Sequence, residues 1–251
     1  MTNMKRHQQI MEMLIQHGEV KVSELSEALQ VTGKTIRTDL EQLEQQELLI
    51  RVHGGAVLKD ASDRGLLPLR TPNQHHLQEK SLIASAALKL IEENDIIALD
   101  GGSTTLEIAK LLEDKPLTVI TNDLFIMAEL LHKTKIRLVV PGGYRNRNLL
   151  TGAEAVTVIR KLNIQKAFMS ATAVHPANGL SIYTSELYDI KRAYIETAHF
   201  VYGTADSSKF GKTALLTFAR IDEMSAIITD SALAMTDVHI YESLGAKLLL
   251  A

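Results

Sequence analysis

Two groups of side chains have the types and spacing to hold anions. The first is near the start of the chain, where Thr32, Lys34, Thr35, Arg37 and Thr38 crowd into one short stretch. Cations and hydroxyls displayed on the first turns of a helix can enter the major groove end-on and reach bases and phosphates. Arg51 and His53 follow where a second contact to the neighbouring DNA backbone is expected, and Gly54-Gly55 would let that segment approach closely. The second group lies in the later part of the chain. Asp100-Gly101-Gly102-Ser103-Thr104-Thr105 sets small residues and hydroxyls where an apolar run gives way to a helical pattern, and the positive end of a helix suits phosphate. Taken singly, such a turn is more often a structural corner than a ligand site. Further loops add to it: Thr121-Asn122, Val140-Pro141-Gly142-Gly143 and Asp206-Ser207-Ser208-Lys209-Phe210-Gly211 each close an apolar run with turn residues, hydroxyls or a cation. Ligands of open α/β sheets collect outside such strand ends.

Periodicity supplies the elements that must position these groups. The spacing predicts a helix over 4–16, with Ile10, Met13 and Leu14 on one face and Gly18 at its end. A shorter helix opens at Val22-Ser23-Glu24, with Ser23 as expected N-cap and Leu25, Ala28 and Leu29 as its apolar stripe. Thr32 caps a third helix that reaches Gln46 and turns Ile36, Leu40 and Leu43 inward. At a helical advance of about 100° per residue, Lys34, Thr38, Glu41 and Gln45 face the other way, and Thr35 and Arg37 flank the stripe. Residues 48–53 read as a strand, Gly54-Gly55 as its turn and 56–58 as its return, which completes a winged helix-turn-helix over 1–58. Periodicity is lost over 59–78, where Gly65, Pro68 and Pro72 sit among polar residues, so this is expected to be a linker. From 79 to 251, apolar runs at 96–99, 117–120, 136–140, 167–170, 200–204, 227–229 and 247–250 alternate with helical patterns at 79–92, 104–112 and 186–199. That alternation predicts a Rossmann-like α/β domain with a largely parallel sheet covered on both faces.

Composition removes several classes of function. With 45% hydrophobic and 23% charged residues over 251 positions, the chain has globular composition and enough length for one large or two modest domains. The longest apolar runs fall well short of the roughly eighteen residues of a membrane span, and the first ten residues lack a secretory signal's apolar stretch, so a cytoplasmic protein without membrane contact is expected. There is no cysteine, hence no disulfide, thiolate metal site or cysteine nucleophile. Five Phe, six Tyr and no Trp argue against base stacking as the mode of nucleic-acid binding. The net charge of −3 does not advertise a polyanion partner, and residues 1–58 carry six Lys or Arg against eight acids. A small helical domain with solvated charges would look the same overall, so the argument for DNA rests on local clustering. The nine histidines are scattered, and the adjacent pair His75-His76 lies in the linker without zinc-site spacing, so no metal is expected. Gly211-Lys212-Thr213 resembles the end of a nucleotide-binding loop, but Asp206 stands where its first glycine belongs. No GxSxG elbow is present, and neither catalytic residues nor a cofactor are expected.

The stretch RHQQIMEMLIQHGEVKVSELSEALQVTGKTIRTDLEQLEQQELLIRVHGGAVL resembles the DeoR-type bacterial repressors over nearly all of residues 5–58. Thr35-Ile36-Arg37-Thr38-Asp39-Leu40 and Arg51-Val52-His53-Gly54-Gly55-Ala56 carry the likeness in matching order and distance, with Thr38 where the family usually has a second Arg. LDGGSTT, TVITND, VPGG, ADSSKFGK and the spaced Glu186 and Lys191-Arg192 resemble that family's sensor domain, itself similar to sugar-phosphate isomerases and CoA-transferases. The resemblance implies that Ser103, Thr104, Thr105 and Lys209 hold a phosphate beside Gly102. It implies that Asp100, Thr121, Asn122, Gly142, Gly143, Glu186 and Lys191 line the sugar side. An exposed helical pair is an equal reading of Glu186 and Lys191. Where the family has a Gly-Ile-Asp-like turn, this chain has Ser170-Ala171-Thr172-Ala173-Val174-His175. The expected function is repression of a carbohydrate catabolic operon by a homodimer or higher homo-oligomer on double-stranded operator DNA, controlled by a phosphorylated sugar. The alternative is an isomerase-like enzyme with an appended DNA-binding domain. It needs a carboxylate base, for which 168–179 offers none and Asp100 and Glu186 are the conceivable groups.

Overall fold

The structure is a computed structural model that describes residues 3–45, 48–58 and 76–251. Its first part forms because three short apolar stripes meet. Ile10, Met11 and Leu14 of α1 (Asn3–His17), Leu25 of α2 (Val22–Ala28) and Ile36, Leu40 and Leu43 of α3 (Gly33–Gln45) are all buried in one cluster. Between α1 and α2 lies β1 (Glu19–Lys21), which the sequence pattern does not announce. It pairs antiparallel with β3 (Gly55–Leu58), which pairs with β2 (Leu49–Val52), giving the sheet order β1-β3-β2.

Two expectations are corrected here. Ser23 is not the N-cap of α2: Lys21 holds that position without a side-chain bond, and Val22 N–H donates to Gly54 O at 2.8 Å. The wing turn thus satisfies the helix start, and no hydroxyl is needed. The wing turn is His53-Gly54, with Gly54 at φ +81° and Val52 paired to Gly55. Gly55 belongs to β3, where a Cβ would stand 2.0 Å from Val20 O of β1. Gln46 and residues 59–75, which hold most of the expected linker, lie outside the described residues.

The second part begins at α4 (Leu77–Leu88), two residues before the expected start. Then follow β4 (Ile96–Leu99), α5 (Ser103–Leu111), β5 (Leu117–Ile120), α6 (Leu124–Leu130) and β6 (Ile136–Val139). The hairpin β7 (Tyr144–Asn146) and β8 (Leu149–Thr151) leads to α7 (Ala153–Ile159), β9 (Ile164–Ser170), β10 (Ala173–His175) and β11 (Gly179–Ile182). The remainder is α8 (Tyr188–Thr197), β12 (Ala198–Thr204), β13 (Leu216–Ala219), β14 (Ala226–Thr229), α9 (Met235–Ser243) and β15 (Leu248–Leu250). The seven apolar runs read from the sequence form one sheet of order β15-β14-β12-β9-β4-β5-β6 with every paired neighbour parallel. Parallel strands need crossovers, and the helices that provide them bury both faces. Ile83, Ala84 and Ala87 of α4 pack with Leu106 and Ile108 of α5 in one cluster, and Ile190, Ala193 and Tyr194 of α8 with Ile159 and Tyr241 in another.

Strand order locates the site. From β4 the chain builds outward through β5 to β6, then returns to β9 on the other flank of β4 and continues through β12, β14 and β15. The direction reverses between β4 and β9, and in open parallel sheets the crevice at the carboxyl ends of such a pair is where ligands enter.

Candidate functional site

On the first domain, Lys34, Arg37 and Thr38 are exposed along one side of α3 and Thr35 is half-buried. Thr32 caps the helix as expected: its Oγ1 accepts from Thr35 N–H at 3.2 Å, and Thr38 Oγ1 donates to Lys34 O at 3.2 Å. His53 and Gly54 are exposed at the tip of the wing. Arg51 is turned toward α3, 3.7 Å from Glu41 and 3.9 Å from Glu44, and its N–H donates to Glu44 Oε1 at 2.9 Å. These contacts brace the wing against α3. Exposed ion pairs of this kind are worth about 0–1 kcal/mol, so a phosphate can displace them.

Asp39 is the polar member of the buried stripe of α3 and the residue that sequence reading passed over. It is 1% exposed and accepts from Arg6 Nε at 2.5 Å and Nη2 at 2.8 Å, with His7 Nε2 at 3.1 Å. The bond to Asp39 raises the Arg6 guanidinium above its ordinary value. Asp39 falls at i+3 of Ile36, on the inward face, which was the available signal. The pair ties α1 to the helix that carries Lys34 and Arg37.

On the second domain, a cleft opens at the switch point. Gly101, Gly102, Ser103 and Thr104 line it from the start of α5, Ser170 to Thr172 from the end of β9, and Asp206 and Lys209 from the end of β12. Ile182, Tyr183, Thr184 and Leu187 form another wall. Lys80, Lys191 and Lys209 are 2%, 2% and 8% exposed, so three ammonium groups are withdrawn from bulk water around one cavity. Lys80 lies three residues before Ile83 on the inward face of α4, a position that reads as core in the sequence and carries a charge.

Lys191 and Asp100 form the floor. The ammonium pairs with Asp100 Oδ2, donates to Ser170 O at 2.8 Å and lies 4.7 Å from the centroid of the Phe218 ring. Asp100 Oδ2 also accepts from Ser170 N–H at 3.0 Å and Oγ at 2.9 Å. Asp100 itself sits behind the lining. Gly102 makes this packing possible, because a Cβ there would be 2.6 Å from Ser170 Cβ and Oγ. Asp206 differs from Asp100. Its Oδ1 accepts from Ser208 N–H at 3.1 Å, while Oδ2 is buried with no hydrogen-bond partner among the described residues.

One expected phosphate contact, Thr105, and several expected sugar-side residues stand elsewhere. Thr105 is fully buried and spends its hydroxyl on Asp100 O at 2.6 Å and Gly102 O at 2.9 Å. Thr121 Oγ1 accepts from Asp123 N–H at 3.2 Å, and Asn122 Nδ2 donates to Leu150 O at 3.0 Å. Gly142 and Gly143 carry the chain into the β7–β8 hairpin, where a Cβ on Gly143 would meet Thr151 O at 2.3 Å. Leu149 of that hairpin, 1% exposed, packs over Gly101. The strand end of β5 is therefore roofed by protein, and the cleft lies on the other side of β4. Glu186 is exposed outside the lining, so it makes neither a ligand wall nor an ion pair with Lys191.

Beneath the roof, burial pushes the Asp123 carboxyl up to about 6, although Phe125 N–H, Ile126 N–H and Asn148 Nδ2 donate to it, and the nearby Asp100 adds to the rise. Burial likewise raises the Tyr194 hydroxyl, with Asp100 and Asp123 adding to it. Among the described residues no cluster of three His, Asp or Glu could hold a metal, and no helix is long and apolar enough to cross a membrane.

The two halves match two family models: a DeoR-like helix-turn-helix domain over residues 6–62 and the DeoR C terminal sensor domain over 75–231. The chain is similar along its length to curated regulators. The HTH-type transcriptional regulator IolR of Bacillus subtilis is 34% identical over 231 residues, 91% of this chain and 91% of the relative. The L-fucose operon activator of Haemophilus influenzae is 32% identical over 231 residues, 91% of this chain and 92% of the relative. The transcriptional repressor AccR of Agrobacterium fabrum is 34% identical over 252 residues, 98% of this chain and 96% of the relative. With both domains matched, in this order and over most of its length, the chain belongs to the DeoR family of DNA-binding transcriptional regulators.

Proposed function

We propose that the protein is a cytoplasmic repressor of a carbohydrate catabolic operon. Residues 1–58 read double-stranded operator DNA, 59–78 link, and 79–251 bind a phosphorylated sugar whose occupancy alters operator affinity. The observation that carries this reading is the cleft. Its lining holds Lys80, Lys209 and the Asp100-paired Lys191 around the N-terminus of α5 at Ser103, whose partial positive charge and backbone N–H groups suit an anionic ester. The unpartnered Oδ2 of Asp206 suits a hydroxyl donor on the same ligand, because a buried acceptor left unsatisfied costs about 1–3 kcal/mol. A sugar phosphate has both parts. The name of the L-fucose operon activator supports the carbohydrate link, and that of AccR supports repression. Two half-sites one helical turn apart would need a homodimer or higher homo-oligomer.

The isomerase alternative loses its proposed bases: Asp100 is locked to Lys191 and Ser170, and Glu186 lies outside the cleft. Thermal shifts of the full chain with a panel of sugar phosphates and their unphosphorylated parents test the reading. Stabilisation by esters alone is expected, and preference for the parent sugars would overturn it. Formation of an isomer in the same tubes would favour the enzyme.

A further inference from the structure

One wall of the cleft is also the seat of the DNA-binding domain. Residues 182–187 run from the end of β11 into α8, and Ile182, Tyr183, Thr184 and Leu187 of this segment face the cleft. Tyr183 packs against the apolar cluster of the first domain as well, so one side chain borders both the ligand space and the helix-turn-helix core. Two residues on, Ser185 Oγ accepts from Gln8 Nε2 of α1. The segment is tethered from behind, where Thr151 Oγ1 donates to Glu186 O at 3.0 Å.

Gln8 follows Arg6 and His7, the residues that grip Asp39 on α3. A movement of α1 is thereby handed to the helix that bears Lys34 and Arg37 through a buried, charge-assisted contact. The seam also contains an opposing force. Burial raises the Glu12 carboxyl, the bond donated by Gln8 Nε2 to Glu12 Oε1 at 3.1 Å offsets part of the rise, and the charge of Glu186 adds a smaller one, so two acids repel weakly across the seam. A junction with attraction and repulsion side by side can be tipped by small differential contacts.

We infer that residues 182–187 are a relay, in which occupancy of the cleft displaces Tyr183 and Ser185, shifts α1 and so changes how α3 meets DNA. This rests on the effector reading of the cleft and names its route of regulation. The route has three links, each a contact in the structure: cleft to Tyr183, Ser185 to Gln8, and Arg6 and His7 to Asp39.

The test uses hydrogen exchange on the full chain. Two cleft-filling variants, Ala171→Phe and Thr172→Phe, stand in for an occupant, and inorganic phosphate against chloride at equal ionic strength is the ligand probe. Filling the cleft should alter exchange in residues 6–14 and 33–45 by roughly 5- to 150-fold, the usual span of allosteric coupling. The effect should shrink with Gln8→Ala and Ser185→Ala together and vanish when Tyr183→Ala is added, while exchange in β9 and β12 reports that the fold is kept. Unaltered exchange in α1 with both fillers, or an effect undiminished in the triple variant, would overturn the relay. Phosphate that protects neither 101–105 nor 205–209 counts against the effector reading alone, since the filled clefts decide the relay without it.

Discussion

Lys191 is the sharpest test of how the cleft is built, because the structure makes it a lock where the sequence offered a ligand contact. Its side chain is 3% exposed and that of Asp100 is 4%, and the ammonium supplies Asp100 Oδ2 and Ser170 O together. Lys191→Met keeps the length and packing of the side chain and removes the charge. Asp100 then retains only the Ser170 N–H and Oγ donors for a buried carboxylate. Breaking a buried pair by removing one partner costs about 3–5 kcal/mol. At roughly 2–4 °C per kcal/mol for a domain of this size, the melting temperature should fall by about 6–20 °C. The double variant Asp100→Asn/Lys191→Met removes both charges and should recover about half of that loss or more, roughly 2 kcal/mol. Urea titration with a probe in the second domain measures both quantities. A loss under about 1 kcal/mol for Lys191→Met, with the single losses simply adding in the double variant, would refute the lock.

Other outcomes follow from the same geometry. Arg37→Ala and Lys34→Ala should leave folding intact and weaken duplex binding, each lowering the slope of log affinity against log salt by about one per lost phosphate contact, as read by anisotropy titrations at several salt concentrations. Gly55→Ala should break the β1–β3 pairing, because its Cβ would meet Val20 O at 2.0 Å, and should abolish duplex binding while circular dichroism retains the helices. Asp123→Asn should stabilise the second domain at pH 8. The native carboxyl, raised from 3.8 to about 6, binds more protons than the unfolded one between those values, so stability falls as pH rises through that window. The cost above pH 6 is at most about 3 kcal/mol, and urea titrations of the two proteins should converge near pH 4. Asn148 Oδ1, buried without a partner, can accept from the new amide once its side chain turns over.

What the sequence disclosed follows from how local each signal is. Ile96–Leu99 and Leu117–Ile120 match the observed strands to the residue, since a strand buried on both faces is a continuous apolar run with polar ends. Ser23 failed as a cap because Gly54 O, thirty-one residues away in the chain, meets Val22 N–H. β1 is three residues long with one buried side chain, too short for a period to register. In the site, Ser103, Thr104 and Lys209 were legible from hydroxyls and a cation at strand ends. Lys80 and Asp39 were not, because a charge inside an apolar stripe is recognisable only once its surroundings are known. Thr121, Asn122, Gly142 and Gly143 have the chemistry of a ligand loop, yet Thr121 and Asn122 are buried against the β7–β8 hairpin, and Gly142 and Gly143 lead into it. Which flank of β4 stays open is settled by the hairpin's packing, a long-range property.

A single titration addresses both the duplex-reading front and the proposed anion-sensing rear of the chain. The full chain is titrated onto a fluorescent fragment of its own promoter region and onto random duplex of equal length, with and without each phosphate ester and its parent sugar. Preference for the promoter fragment is predicted, together with a shift of roughly 5- to 150-fold by one ester and none by its parent. Equal affinity for both duplexes, unmoved by any ester, would contradict it.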